Sequence, residues 1–368
     1  MTYEDIIERF DLHPVSGFLP SRGADEPMPE AWRDWETLAT ALPTRLAEGD
    51  RSWREEMVAG PEKWIEGLNP AQQKRGMLLL SFLSHAFLHQ AGPRPTVLPA
   101  PLAIPWTQVA RQLGRLPVIT HASMVLENWR LIDPEGEMEP ENLQCLIQFV
   151  PDRQHDWFFC LTSMVEYVGG PAVGEMIRLR EEGPKLSSEN LKHMLGLFEE
   201  KLQAMTAMLL RMGEHLEPDF FYHQLRPYIA SIENVTYEGV IPAIHSYHGG
   251  SAAQSSLIQA FDRVLGVKHL HPHASAYLDE MLTYMPAPHQ AFLAWLESGP
   301  DYARFWQRTG LKEPWKQARN ALLDFRTAHL KVVSTFIMGP ARQSGETALG
   351  TGGTDVMGFL KEVRNDTA

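Results

Sequence analysis

Residue 329 is a histidine where a hydrophobic side chain is due. Around FRTAHLKVVSTF, the residues Leu322, Phe325, His329, Val332 and Phe336 recur at steps of three and four, the period of one buried helical face. An imidazole on such a stripe is either a core histidine hydrogen-bonded to a neighbour or a metal ligand. A neutral ring nitrogen on a rigid helix, walled by Leu, Val and Phe, suits the axial position of a haem iron, and Arg326 one turn earlier can meet a propionate. There is no CxxCH motif, so a haem here is expected to be non-covalent.

Other constellations point elsewhere. His85 and His89 stand four apart, as zinc-binding pairs do, but Ala86 replaces the glutamate of HExxH, and a plain helix face is the expectation. His269, His271 and His273 alternate around Pro272, which reads as a solvated loop. GGSAAQSS at 249–256 misses the GxSxG nucleophile elbow only at Ala253, and Asp262 and His329 follow in hydrolase order. That elbow needs a strand before it, and IPAIHSYH gives no strand context. GETALGTGGT at 345–354 mimics a phosphate loop up to Thr351, which stands in place of its lysine. It reads as a glycine-rich segment whose N–H groups and Thr351 hydroxyl can close over a small polar ligand, or as a plain flexible loop. Arg226, in DFFYHQLRPY, follows Phe220 and Phe221; an arginine beside aromatics can clamp a carboxylate while the rings hold an apolar body.

These residues sit in a chain of 368 with 44% hydrophobic and 21% charged residues, a globular composition with room for about two domains. A formal net charge of -13 without a basic run argues against nucleic acid as a partner. The two cysteines, Cys145 and Cys160, form no CxxC, and the N-terminus is acidic where a secretory leader is basic. We therefore expect a reducing, cytoplasmic setting. The most apolar run, 77–88, is too short to cross a bilayer and reads as a buried helix, so no membrane association is expected.

The positioning elements are helical. Trp32, Trp35, Leu38 and Leu42 share one helical face. Five prolines make 92–105 an extended connector, with a new helical set from Trp106. Ser188 is expected to cap a long helix striped by Leu191, Leu195, Phe198, Leu202, Met205, Leu209 and Met212. Residues 235–241 allow a short strand or an extended loop, and 340–354 looks flexible. The fold class is all-α. Turn-rich sequence before residue 150 suggests a small N-terminal domain over 1–149 and a larger one over 150–368.

Several ordered strings give a closer reading: FFCLTSMVE, FFYHQLRPY followed by TYEGV, GGSAAQSSLIQAFDRVLG, YMPAPHQAFLAWLES, FRTAHLKVV and GTGGTDVMGFLKEVR. With GFLPSR, LAIPWTQVARQLGRLPVI and VLENWRLIDP nearer the N-terminus, the chain resembles the indoleamine 2,3-dioxygenase family of haem enzymes. That resemblance implies an all-α fold whose large domain holds haem b on His329, with Asp262 and Arg326 fixing the helices and the propionate edge. It places Phe158 and Phe221 against an indole, Thr162 near the indole N–H, and Arg226 on the substrate carboxylate. Ser251 and Ala252 would line the wall above the haem. Thr351, Gly352 and Gly353 would close over the amino acid's polar end.

Two positions depart from the family pattern: Thr162 replaces a serine, and His121 replaces a tyrosine of the small-domain wall, close to the indole. The implied reaction adds both atoms of O₂ across the indole C2–C3 bond of L-tryptophan or another indoleamine, giving N-formylkynurenine, with an electron donor keeping iron ferrous. No charged acid or base stands out in the distal pocket, so the cofactor is expected to carry the oxygen chemistry. Altered oxidation of an indole, or a non-catalytic haem sensor, remain as alternatives.

Overall fold

The computed structural model describes residues 2–56, 65–345, 350 and 355–367. Helices dominate and the chain is all-α, with two small sheets among the described residues. In the N-terminal part, Trp32, Trp35, Leu38 and Leu42 are all buried, on and just before the Arg33–Ala47 helix. The Pro70–His89 helix starts on an Asn69 and Gln72 capping box with Pro70 in its first turn, where a missing N–H costs nothing. Residues 77 to 83 are fully buried on every side, which is why this segment shows no polar face. Among the described residues no helix is long and apolar enough to cross a membrane.

The connector expected over 92–105 is shorter than that. Helix Ala100–Gln112 begins six residues before Trp106 and contains Pro101 and Pro105. Pro101 lies among the first N–H groups, which have no partner within any helix, and Pro105 forfeits a single bond of the ladder. Only the stretch before it is extended, where Val97–Leu98 pairs parallel with Thr236 and Tyr237. The strand expected near 235–241 is Ile232–Tyr237; it stops at a turn and pairs antiparallel with Ile244–Tyr247. A second sheet joins Arg130–Leu131 to Leu143–Gln144.

In the C-terminal part the long helix is Ser188–Leu210, and its cap is Ser187, one residue earlier than expected, whose hydroxyl accepts from the Asn190 N–H. Its predicted stripe is buried throughout and packs along Lys312–Val333, the helix that carries His329. Lys312–Val333 also packs against the C-terminal helix Val356–Thr367, and Arg153–Gly169 packs on Ser188–Leu210. The stretch 340–354 is not all loop: a π-turn at Ser334–Met338 runs into helix Gly339–Ser344, with Pro340 at its start. Of the remainder, 346–349 and 351–354 lie outside the described residues. Cys145 and Cys160 are free and buried, their sulfurs 3.9 Å apart.

Candidate active site

Between these helices lies a cavity with about 1740 Å³ of empty space including its mouth. One wall is Lys312–Val333 and the turn after it, which contribute Phe325, Arg326, His329, Val332, Val333 and Phe336. The stripe that looked like core therefore faces an internal void. Burial, with the nearby Arg326 charge, pushes the His329 imidazole down to about 4, so the ring is neutral at physiological pH and keeps a free lone pair. Among the described residues that imidazole has no hydrogen-bond partner. A neutral nitrogen donor, otherwise unsatisfied among the described residues and set among Phe and Val, is the group that would hold a haem iron.

One turn before His329, Arg326 is anchored. Its Nη2 lies 2.7 Å from both oxygens of Asp262, on helix Ser256–Leu265, and its Nη1 bonds the Thr367 hydroxyl. Burial raises the Asp262 carboxyl, but the Arg326 charge and the His269 hydrogen bond outweigh it and hold the group below the usual carboxylate range. His269 was expected in a solvated loop. Instead its Nε2 lies 3.2 Å from Asp262, and Pro272 opens the helix Pro272–Leu282 immediately afterwards. Asp366, which accepts from the Leu270 N–H at 3.0 Å and faces His271 at 2.8 Å, ties the same segment to the C-terminal helix.

The opposite wall is built from Arg153–Gly169, the His121 region and the 249–256 loop. Phe158 and Thr162 line it, the Thr162 hydroxyl donating to the Phe158 carbonyl at 2.8 Å. Phe221, on a π-turn, lies 4.7 Å from Phe158 between ring centroids and 6.2 Å from Phe336. Ser251 and Ala252 line the same wall, and Gln254 clips that loop to it by accepting from the His121 N–H at 2.9 Å.

The expectation of a wall without acid or base is overturned here. Glu166 and His121, both 4% exposed, line the cavity as a buried pair, with Glu166 Oε1 3.0 Å from His121 Nε2 and accepting from the Ser255 hydroxyl at 2.6 Å. Glu166 escaped the sequence reading although a signal existed. It extends Phe158 and Thr162 by a further four residues on one helical face, an acid on an apolar stripe as His329 is a base on one.

Not every candidate reaches the cavity. Arg226 is not among its lining residues; its guanidinium lies 5.0 Å from the Tyr222 ring. Thr351, Gly352 and Gly353 lie outside the described residues. His85 is spent on structure, its Nδ1 2.9 Å from the Tyr228 carbonyl and its Nε2 accepting from the Ile119 N–H at 3.1 Å. The hydrolase elbow fails on different grounds from those expected. A strand, Ile244–Tyr247, does precede Ser251, but it is antiparallel. Asp262 serves Arg326 and His269, and the Ser251 hydroxyl accepts from the Ala253 N–H.

Comparison with known proteins fits this arrangement. A family model described as indoleamine 2,3-dioxygenase matches residues 6–368. The chain belongs to the indoleamine 2,3-dioxygenase family. Indoleamine 2,3-dioxygenase 1 of Rattus norvegicus is 32% identical over 98% of this chain and 95% of its own length. Indoleamine 2,3-dioxygenase 2 of Homo sapiens is 30% identical over 98% and 94%. A 6-hydroxytryptophan 2,3-dioxygenase of Fusarium equiseti is 27% identical over 98% and 96%. Enzymes of this family are haem-dependent dioxygenases, so the chain is an oxidoreductase of that class.

Proposed function

We propose that the protein binds haem b through His329 and converts L-tryptophan, or a related indoleamine, to N-formylkynurenine in tryptophan catabolism. The observation that carries this is the neutral, unpartnered His329 ring opening onto an apolar cavity in a dioxygenase of this family. Haem, when bound, supplies the iron chemistry that delivers both atoms of O₂ to the indole C2–C3 bond. The protein's share is placement. Phe158 and Phe221, in contact with each other, pack against the indole as one aromatic wall and exclude water; Thr162 offers a hydroxyl oxygen at the ring edge; Ser251 and Ala252 shape the wall. Arg226 pairs with the substrate carboxylate once the segment bearing Phe221 turns it inward, and Thr351, Gly352 and Gly353 close over the amino-acid end.

In this reading residues 1–149 form a small domain that supplies the His121 wall, residues 150–368 form the haem domain, and a cytoplasmic reductant keeps iron ferrous. Aerobic turnover of L-tryptophan by the reduced holoprotein is expected to yield N-formylkynurenine. An intact haem protein that yields none rejects the reading. The buried pair of His121 and Glu166 favours one second reading, altered oxidation of an indole; mass spectrometry showing fewer than two added oxygens would select it.

A further inference from the structure

The cluster of His121, Glu166 and Ser255 is incomplete as it stands. Both neighbours engage Glu166 Oε1, while Oε2 is buried without a hydrogen-bond partner. A buried acceptor left unmade is destabilising, and such groups in native proteins have a reason. The neighbouring space is the cavity, which both His121 and Glu166 line. His121 Nε2 is committed to Glu166, and the ring's second polar atom, Nδ1, is left for other use.

Position along the wall indicates what completes the cluster. Phe158, Thr162 and Glu166 follow one another at four-residue steps on one face of Arg153–Gly169, each step about 6 Å along the axis. Phe158 touches Phe221, whose segment carries Arg226, so Glu166 lies two turns away from the end that takes the substrate carboxylate in the reading above. A ring lying along Phe158 and Thr162 thus points its benzo edge at Glu166 and His121. We infer that these two residues form a specificity subsite for a hydrogen-bond donor on that edge, namely the phenolic hydroxyl of a ring-hydroxylated indole amino acid.

The inference rests on the proposed indole chemistry, and the test separates the two. Holoenzyme kcat/KM is measured for L-tryptophan and for its 5- and 6-hydroxy derivatives in wild type, His121→Phe and Glu166→Gln, with haem content and circular dichroism reporting folding. The ratio of the better hydroxylated substrate to tryptophan is expected to exceed one in wild type and to fall about tenfold in both variants, the loss of one buried hydrogen bond. An unchanged ratio, including equal losses on all substrates as the ring N–H would give, overturns the inference while leaving the dioxygenase reading intact. If wild type oxidises no indole, that reading fails, and calorimetric binding of hydroxyindoles against indole decides the subsite alone: a hydroxyl preference abolished in His121→Phe supports it, and no preference overturns it.

Discussion

Arg326 holds Asp262 through a single nitrogen, Nη2, placed 2.7 Å from both carboxylate oxygens, three residues before His329 on the same helix. That buried pair joins three helices, because the other Arg326 nitrogen reaches Thr367 and Asp262 also faces His269. It sets where the helix bearing His329 sits against Ser256–Leu265.

Removing one partner strands the other charge in the interior. Asp262→Ala is therefore expected to destabilise the protein by about 3 kcal/mol or more, beyond the cost of a surface pair. Urea unfolding of the apoprotein checks it, and a loss below about 1 kcal/mol would show that Arg326 finds another partner.

His329→Ala should fold, since alanine suits a helix interior and the side chain faces a void. Purified with haem supplied, the variant is expected to show no Soret band while keeping wild-type far-UV circular dichroism. Added imidazole should restore haem binding in part by entering the vacated space. A variant that retains full haem content assigns the bond to iron to another residue.

His85 predicts an acid response. Burial, with the neighbouring His89, holds its imidazole well below the ordinary histidine value, and protonation at Nε2 would set N–H against the Ile119 N–H. The unfolded chain takes up that proton below about pH 6.5 and the native state resists it, so stability is full above that pH and is lost as pH falls, by at most about 1.4 kcal/mol per unit. Denaturation at pH 7 and pH 5 should show a smaller difference in His85→Gln than in wild type.

Much of this was legible in local sequence. The His329 stripe and the buried faces around Trp35 and Leu195 follow from residue spacing alone, because a helix repeats what its neighbours at three and four residues do. What escaped depends on distant contacts or on position within an element. His269 reads as solvated until Asp262 is beside it, and Glu166, on the face of Phe158 and Thr162, shows its role only once His121 and Ser255 close over it. Pro101 reads as a breaker although it falls in the first turn of its helix, where proline is tolerated, and Pro105 because spacing does not show that packing can bear the loss of one ladder bond.

The remaining prediction concerns Arg226, which belongs to the Phe221 segment but does not line the cavity. Its planar guanidinium is the group suited to a two-point bond with a carboxylate, and it lies 5.0 Å from the Tyr222 ring, a cation–π contact. If the side chain turns inward on binding, Arg226→Ala should lower kcat/KM for L-tryptophan by tenfold or more. Tryptamine, which has the indole and amine but no carboxylate, should then bind wild type and variant alike, as read from shifts in the haem spectrum. Equal weakening of both ligands would mean that Arg226 supports the Phe221 wall rather than the amino-acid end.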